Sequence, residues 1–176
     1  MSQIKKYIKD FKRFNANTAS EYRAESAPHQ PILLLALIKL YKEGKIDLKS
    51  IKPDSKDLVS TVEEIWNDWL GYKEDFKIQY PLYHLQTKDF WDYNLKEGHD
   101  FVVRKGQTPT FKKIRERVDV FYINDADLIG YLEDEDTRKK LINALLRSGR
   151  VLKTTGEKKY CFTDEGKQII KQKMGI

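Results

Sequence analysis

The segment Pro31-Ile32-Leu33-Leu34-Leu35-Ala36-Leu37-Ile38-Lys39-Leu40-Tyr41 constrains the fold more than any other part of the chain. Pro31 has the fixed φ that suits the first turn of a helix, and Gly44 suits a position just past its end, so the pattern predicts a helix over residues 31–43. Seven apolar residues in succession, 32–38, leave that helix no polar face over most of its length, so other elements must enclose it. It is too short to span a membrane. No run of about eighteen apolar residues occurs anywhere, and the first twenty residues are charged, unlike a secretion signal.

The elements around that helix follow from spacing. Ile4, Tyr7, Ile8, Phe11 and Phe14 recur at helical intervals with Lys5, Lys6, Lys9 and Lys12 opposite, which predicts an amphipathic N-terminal helix with a solvated basic face. Ser55 caps a second pattern of Leu58, Val62, Ile65, Trp66 and Trp69 that stops at Gly71; this helix is acidic and unsuited to face DNA. Aromatic and branched residues predict strands over 82–87, 90–93 and 101–104. Thr108 and Pro109 predict the cap and first turn of a helix carrying Phe111, Ile114 and Val118, with Lys112, Lys113, Arg115 and Arg117 outward. Further helices are predicted from Asn124 to Leu132, and from Asp134 or Asp136 to Arg147.

Residues 141–170 then read as half of a winged helix. A helix ending at Gly149 leads to a strand over 150–153, a Thr155-Gly156 turn, a strand over 159–162, and a last helix opened by Thr163-Asp164-Glu165-Gly166. The expected fold is therefore mainly α with a small β-sheet, an α+β class with winged-helix-like features and a C-terminal wing hairpin. Residues 1–147 are expected to form the main unit, with the hairpin and helix of 148–176 packed on it as one domain overall.

Composition narrows the function. A chain of 176 residues, 40% hydrophobic and 12% aromatic, can build a true core. Its net charge of +6 and pI near 9.2 favour an acidic partner such as nucleic acid. A single cysteine, Cys161, rules out a disulfide framework and a cysteine-based zinc site and fits a reducing compartment, so a cytoplasmic location is expected. Catalytic patterns are poor. Pro53-Asp54 and Glu165-Gly166-Lys167 resemble the paired acids and lysine of restriction nucleases only by chance, and no Gly-rich phosphate loop or Ser/His/Asp order is present. The expectation is a non-enzyme without metal or cofactor.

Two motifs about fifty residues apart carry the chemistry. The first, Ala27-Pro28-His29-Gln30-Pro31, opens the Leu-rich helix, where backbone N–H groups and the helix dipole favour a phosphate. His29 can donate there, or can simply cap its own helix. The second is Tyr80-Pro81-Leu82-Tyr83-His84-Leu85-Gln86, with Phe90-Trp91 behind it. A tyrosine face and a proline ring are rigid walls without donors; the plainer alternative is a turn proline beside a core tyrosine. A third segment, residues 104–117, holds six basic positions against one acid, Glu116. Its Arg104, Lys105, Lys112 and Lys113, with the backbone around Gly106 and Thr108, suit a DNA backbone.

Over most of residues 22–147 the pair of motifs resembles the sulfur-binding domains of phosphorothioate-dependent restriction enzymes. In that family a His, a basic residue and Pro open a Leu-rich helix, and a Tyr-Pro or Phe-Pro loop precedes a strand and a Trp. The resemblance implies a reader of double-stranded DNA carrying backbone phosphorothioate, with Tyr80, Pro81 and His84 around the sulfur, His29 and Gln30 on the DNA backbone or a base edge, and Arg23 near a contributed arginine. Gln30 departs from the family's Lys or Arg: it can hydrogen-bond a purine or phosphate, but without charge or bidentate guanine readout. The family's His-Asn-His nuclease arrangement is not formed by His29, His84 and His99. The implied role is the recognition module of a restriction or defence system, with cutting left to a separate nuclease subunit. Two alternatives stand beside it: a winged-helix regulator that reads unmodified DNA through residues 138–147 and a wing with Lys153, Lys158 and Lys159, and a protein-interaction scaffold.

Overall fold

The computed structural model describes residues 2–14, 28–101, 107–151 and 154–176. The fold is α+β, mostly helical, with two small antiparallel pairs of strands. Helix α1 (Gln3–Lys12) buries Tyr7 and Phe11 and turns Lys5, Lys6 and Lys9 to solvent. The Leu-rich helix is α2 (His29–Lys42), and none of residues 32–38 is more than 3% exposed. It is enclosed by α3 (Lys56–Glu64), α4 (Gln79–His84) and α7 (Glu135–Leu146). One buried cluster runs from Tyr7 through α2 to Met174 in the last helix.

Ser55 caps α3 by accepting the Leu58 N–H at 3.3 Å, as its position predicts. The helix does not continue regularly to Gly71. Residues Ile65–Trp69 widen into a π-helical turn, with the Leu70 N–H reaching the Ile65 carbonyl at 3.1 Å. The wider turn lets Ile65, Trp66 and Trp69 all point inward.

The strand expected over residues 82–87 is a correction. That stretch lies in α4 and a 3-10 turn, Leu85–Thr87, and Tyr80-Pro81 forms the first helical turn, not a loop before a strand. Leu82 and Leu85, three apart, are buried on one face, and the buried Trp91 indole N–H donates to the Leu82 carbonyl at 2.9 Å. Helical spacing of the two leucines outweighs the strand propensity of the aromatic residues between them.

The sheet expected in the middle is present: its first strand matches the one expected over residues 90–93, but its partner is a strand that was not expected. β1 (Trp91–Leu95) pairs antiparallel with β2 (Val118–Ile123), Tyr93 opposite Phe121, and Ile51 adds a bridge to Phe121. β2 went unforeseen because Val118 was placed in the preceding helix; Val118-Asp119-Val120-Phe121-Tyr122-Ile123 is rich in branched and aromatic residues that suit a half-buried strand. Phe101 lies outside any strand, and the rest of the segment expected over 101–104 falls outside the described residues. Helix α5 (Phe111–Arg117) is capped by Thr110, not Thr108: the Thr110 hydroxyl accepts the Lys113 N–H at 3.2 Å.

The C-terminal order is close to expectation. Asp125 caps α6 (Ala126–Glu133), Asp134 caps α7, and Thr163 caps α8 (Asp164–Met174). Between α7 and α8 the strands β3 (Gly149–Val151) and β4 (Lys158–Tyr160) pair with Gly149 opposite Tyr160 and Val151 opposite Lys158. At Gly149 the strands approach so closely that a Cβ would stand 2.1 Å from the Lys159 carbonyl oxygen. The neighbouring Ser148 hydroxyl is fully buried and has no hydrogen-bond partner among the described residues.

These adjacent residues should respond in opposite ways. Gly149→Ala should lower the unfolding free energy by about 2 kcal/mol, because the clash is with backbone that must move. Ser148→Ala should leave it unchanged or raise it by up to about 1 kcal/mol, since a buried unpaired hydroxyl is removed. Chemical denaturation of both variants checks this; a stable Gly149→Ala protein would contradict the hairpin geometry.

Candidate nucleic-acid interface

The two motifs meet at one end of α2. His29 occupies the first turn of that helix, half-buried, and its ring is surrounded by three aromatic side chains from other elements. The Phe76 ring stacks on it at 5.2 Å and 27°, Trp66 lies at 5.0 Å, and Tyr80 meets it edge-on at 6.0 Å. Trp66 comes from the π-helical turn. Its indole N–H donates to the Glu74 carbonyl at 2.5 Å and its ring stacks on Tyr72 at 4.1 Å, which fastens the connection that carries Phe76.

From His29 the aromatic series continues along α4. Tyr80 and His84, one helical turn apart, lie with rings nearly parallel at 10° and centroids 6.4 Å apart. Tyr83 packs against His84 and against Phe101, and Phe101 in turn touches Tyr93 of β1. Tyr80 is 39% exposed, and the Lys77 ammonium stands 5.9 Å from its ring, so this end of the cluster faces solvent with a positive charge beside it. Pro81 is buried beneath it. Of the expected wall residues, Tyr80 presents a surface and Pro81 supports it from within.

His84 and Thr108 form a contact that sequence spacing did not reveal. The His84 Nε2 and the Thr108 hydroxyl are 2.7 Å apart, joining α4 to the segment that leads into α5. Thr108 was expected to cap a helix and present amides to a phosphate; its side chain is turned to His84 instead. Burial pushes the His84 pKa below the ordinary histidine value of 6.5, so its ring is neutral at pH 7.

The α2 terminus offers an anion less than the motif suggests. Pro31 has no N–H, and the Ile32 N–H is taken by the Pro28 carbonyl at 2.9 Å, which leaves at most the amides of His29 and Gln30. Gln30 is half-buried beside His29. On α5, Lys112 is exposed and lies 3.9 Å from Glu116, while Arg117 is held by the Asp100 carboxylate at 3.1 Å and the Asp100 carbonyl at 3.2 Å. Arg115 packs over Phe111. Lys112, its side chain 78% exposed, is open to a polyanion. Arg23, Arg104 and Lys105 lie outside the described residues.

An open cavity of about 180 Å³ elsewhere shares no residue with this cluster. Lys6, Lys88, Asp10, Asp89 and Asp125 give it charges of both signs, and the Tyr7 hydroxyl donates to Asp125 at its edge. Such a lining suits neither a sulfur atom nor a polyanion. Among the described residues no group of three His, Cys, Asp or Glu is placed to hold a metal ion, and no helix is long and apolar enough to cross a membrane. No family model and no curated protein matches the chain. The functional reading therefore rests on the residues themselves.

The sequence pattern paired His29 with Tyr80, Pro81 and His84 but missed Trp66 and Phe76. Trp66 sits in a helical period that reads as ordinary core, and Phe76 lies in a short polar connection with no period at all.

The His84 environment generates a pH dependence. As pH falls below about 6.5 the unfolded chain takes up the His84 proton before the folded chain does. The stability contributed by the neutral ring is complete above that value and is lost as pH falls through the lower folded-state pKa. His84→Gln, which can still reach Thr108, should therefore show a smaller loss of unfolding free energy than wild type between about pH 7.5 and 5.5. Equal losses would mean that the ring is not desolvated.

Proposed function

We propose that this chain reads duplex DNA whose backbone carries phosphorothioate, at the junction of α2 and α4, and serves as the recognition module of a defence system in which another subunit cuts. The observation that carries the reading is the meeting of two motifs fifty residues apart: His29 within 6.0 Å of Tyr80, and Tyr80 in line with His84. A non-bridging sulfur is larger, more polarizable and less strongly hydrated than oxygen. Pressed against Tyr80 and its neighbours it loses little on leaving water, whereas an anionic oxygen there would be buried without enough donors. His29 and Gln30 supply the few polar groups that fix orientation, and Lys77, Lys112 and Lys113 supply charge for the flanking phosphates.

The regulator reading has less support. It would place α7 in the DNA groove, yet α7 packs against α1, α2 and α6, burying Leu141, Ile142, Ala144, Leu145 and Leu146. Two of its three basic side chains are also engaged. Arg138 donates to the carbonyls of Leu132 and Glu133, and Lys139 pairs with Glu135 at 2.8 Å.

Binding to a panel of duplexes, each with and without backbone sulfur, should show at least about a tenfold preference for one modified sequence, roughly 1.4 kcal/mol. Tyr80 is exposed enough to remove without unfolding the chain, so Tyr80→Ala should shrink that preference while largely keeping affinity for ordinary DNA. Equal affinity for every modified and unmodified pair, or full discrimination by the folded Tyr80→Ala protein, would overturn the reading.

The basic helix should behave differently. Replacing Lys112 and Lys113 with alanine should weaken binding to modified and unmodified duplexes alike and flatten the slope of log affinity against log salt. Unchanged affinity and slope would place α5 away from the DNA.

A further inference from the structure

The β3–β4 hairpin bears an exposed face that the α2–α4 site does not use. Its register sets Gly149, Val151, Lys158 and Tyr160 on one side of the pair, because side chains alternate along a strand. That side meets solvent: Val151 is 61% exposed and Tyr160 47%. A tyrosine and a valine so open on a two-stranded hairpin contribute little to the core. What surrounds them is positive charge.

The Lys158 ammonium donates to the Arg147 carbonyl at 2.8 Å and lies 5.0 Å from the centre of the Tyr160 ring. Lys167, reaching across from α8, places its ammonium 4.3 Å from the same ring. Asp164, fully exposed, stands 3.6 Å from Lys167 and is the acid paired with it. Lys158 is held below the ordinary lysine pKa, by burial first and then by the positive charges of Arg147 and Lys12, with Cys161 acting the other way and Lys167 adding least to the depression. Two ammonium groups, one from β4 and one from α8, thus stand over one ring, and their mutual repulsion is relieved when an anion binds.

We infer that the outer face of this hairpin and the adjoining flank of α8 form a second DNA-backbone surface, in which Lys158 and Lys167 meet phosphates and Tyr160 lies against the sugars. The occupant is duplex rather than single-stranded DNA. Two ammonium groups already stand over the Tyr160 ring, so it is not a clear platform for an unstacked base, which is what single-strand recognition requires. The inference rests on the DNA reading of the chain but not on its sulfur preference, since phosphates gripped here lie outside the α2–α4 cluster.

The test uses the full chain and an unmodified duplex of about twenty base pairs, over a range of salt. Lys158→Gln with Lys167→Gln removes both charges while leaving two methylenes and an amide donor at each position, so the hairpin should survive. The double variant should bind more weakly than wild type, with the magnitude of its log–log salt slope smaller by about 2. Acylation of lysines in the wild-type chain gives a reading without any substitution: bound duplex should slow modification of Lys158 and Lys167. Wild-type affinity and slope in the double variant, or unslowed acylation, would overturn the inference. So would protection by poly-glutamate but not by the duplex, which would make this a surface for an acidic protein, and so would a wild-type chain that binds no duplex at all. Loss of sulfur discrimination with the slope change intact would overturn only the α2–α4 reading.

Discussion

Helix α2 has no polar side between Ile32 and Ile38, and everything else is arranged to keep water from it. Enclosure by α3, α4 and α7 uses their apolar faces and leaves the ends of α2 as its only routes to the surface. At the C-terminal end Lys39 and Lys45 pair with Glu43. At the N-terminal end His29 and Gln30 emerge among Trp66, Phe76 and Tyr80. A side chain mounted on a fully packed helix is held by the whole core. Packing defects far along α2 would be felt at His29, because a cavity in a close-packed interior is filled only partly by relaxation.

Two indole hydrogen bonds convert that packing into a shaped rim. Trp91 ties β1 to α4 through the Leu82 carbonyl, and Trp66 ties the π-helical turn to the connection before α4 through the Glu74 carbonyl. Each satisfies a polar group that would otherwise be buried and unpaired, at a cost of about 1–3 kcal/mol if lost. Together they leave Tyr80 exposed on a stiff base. Charge is distributed separately from this apolar rim: much of it is neutralised locally, as in Lys52 with Asp119 and Arg117 with Asp100, while Lys112 and the hairpin cations stand farther from carboxylates that could cancel them.

Much of the helical framework was readable from the sequence because it is local. Ser55, Asp134 and Thr163 each cap the helix that follows, Asp125 caps α6 one residue beyond the expected Asn124, and the Leu-rich run needed no partner to declare itself buried. What escaped was decided by contacts between distant residues. Residues 82–87 carry aromatic side chains common in strands, but burial of Leu82 and Leu85 against α2 makes them helical. β2 became a strand by pairing with β1, and no short-range spacing separates Val118 from the helix before it. In the candidate site, the two motifs pair His29 with Tyr80 and His84 in the sequence, whereas the cage of Trp66 and Phe76 and the link from His84 to Thr108 exist only in three dimensions.

The central claim is that DNA is read where α2 meets α4. The chain has three histidines, and only two of them stand there: His29 and His84, with His99 in an exposed turn beyond β1. The most direct measurement follows the ring resonances of all three by nuclear magnetic resonance while a phosphorothioate duplex, and then its unmodified twin, is added. The account predicts that His29 and His84 shift with the modified duplex, shift less with the unmodified one, and that His99 stays in place. Saturating DNA that moves His99 or the α8 signals while leaving His29 and His84 unchanged would contradict it.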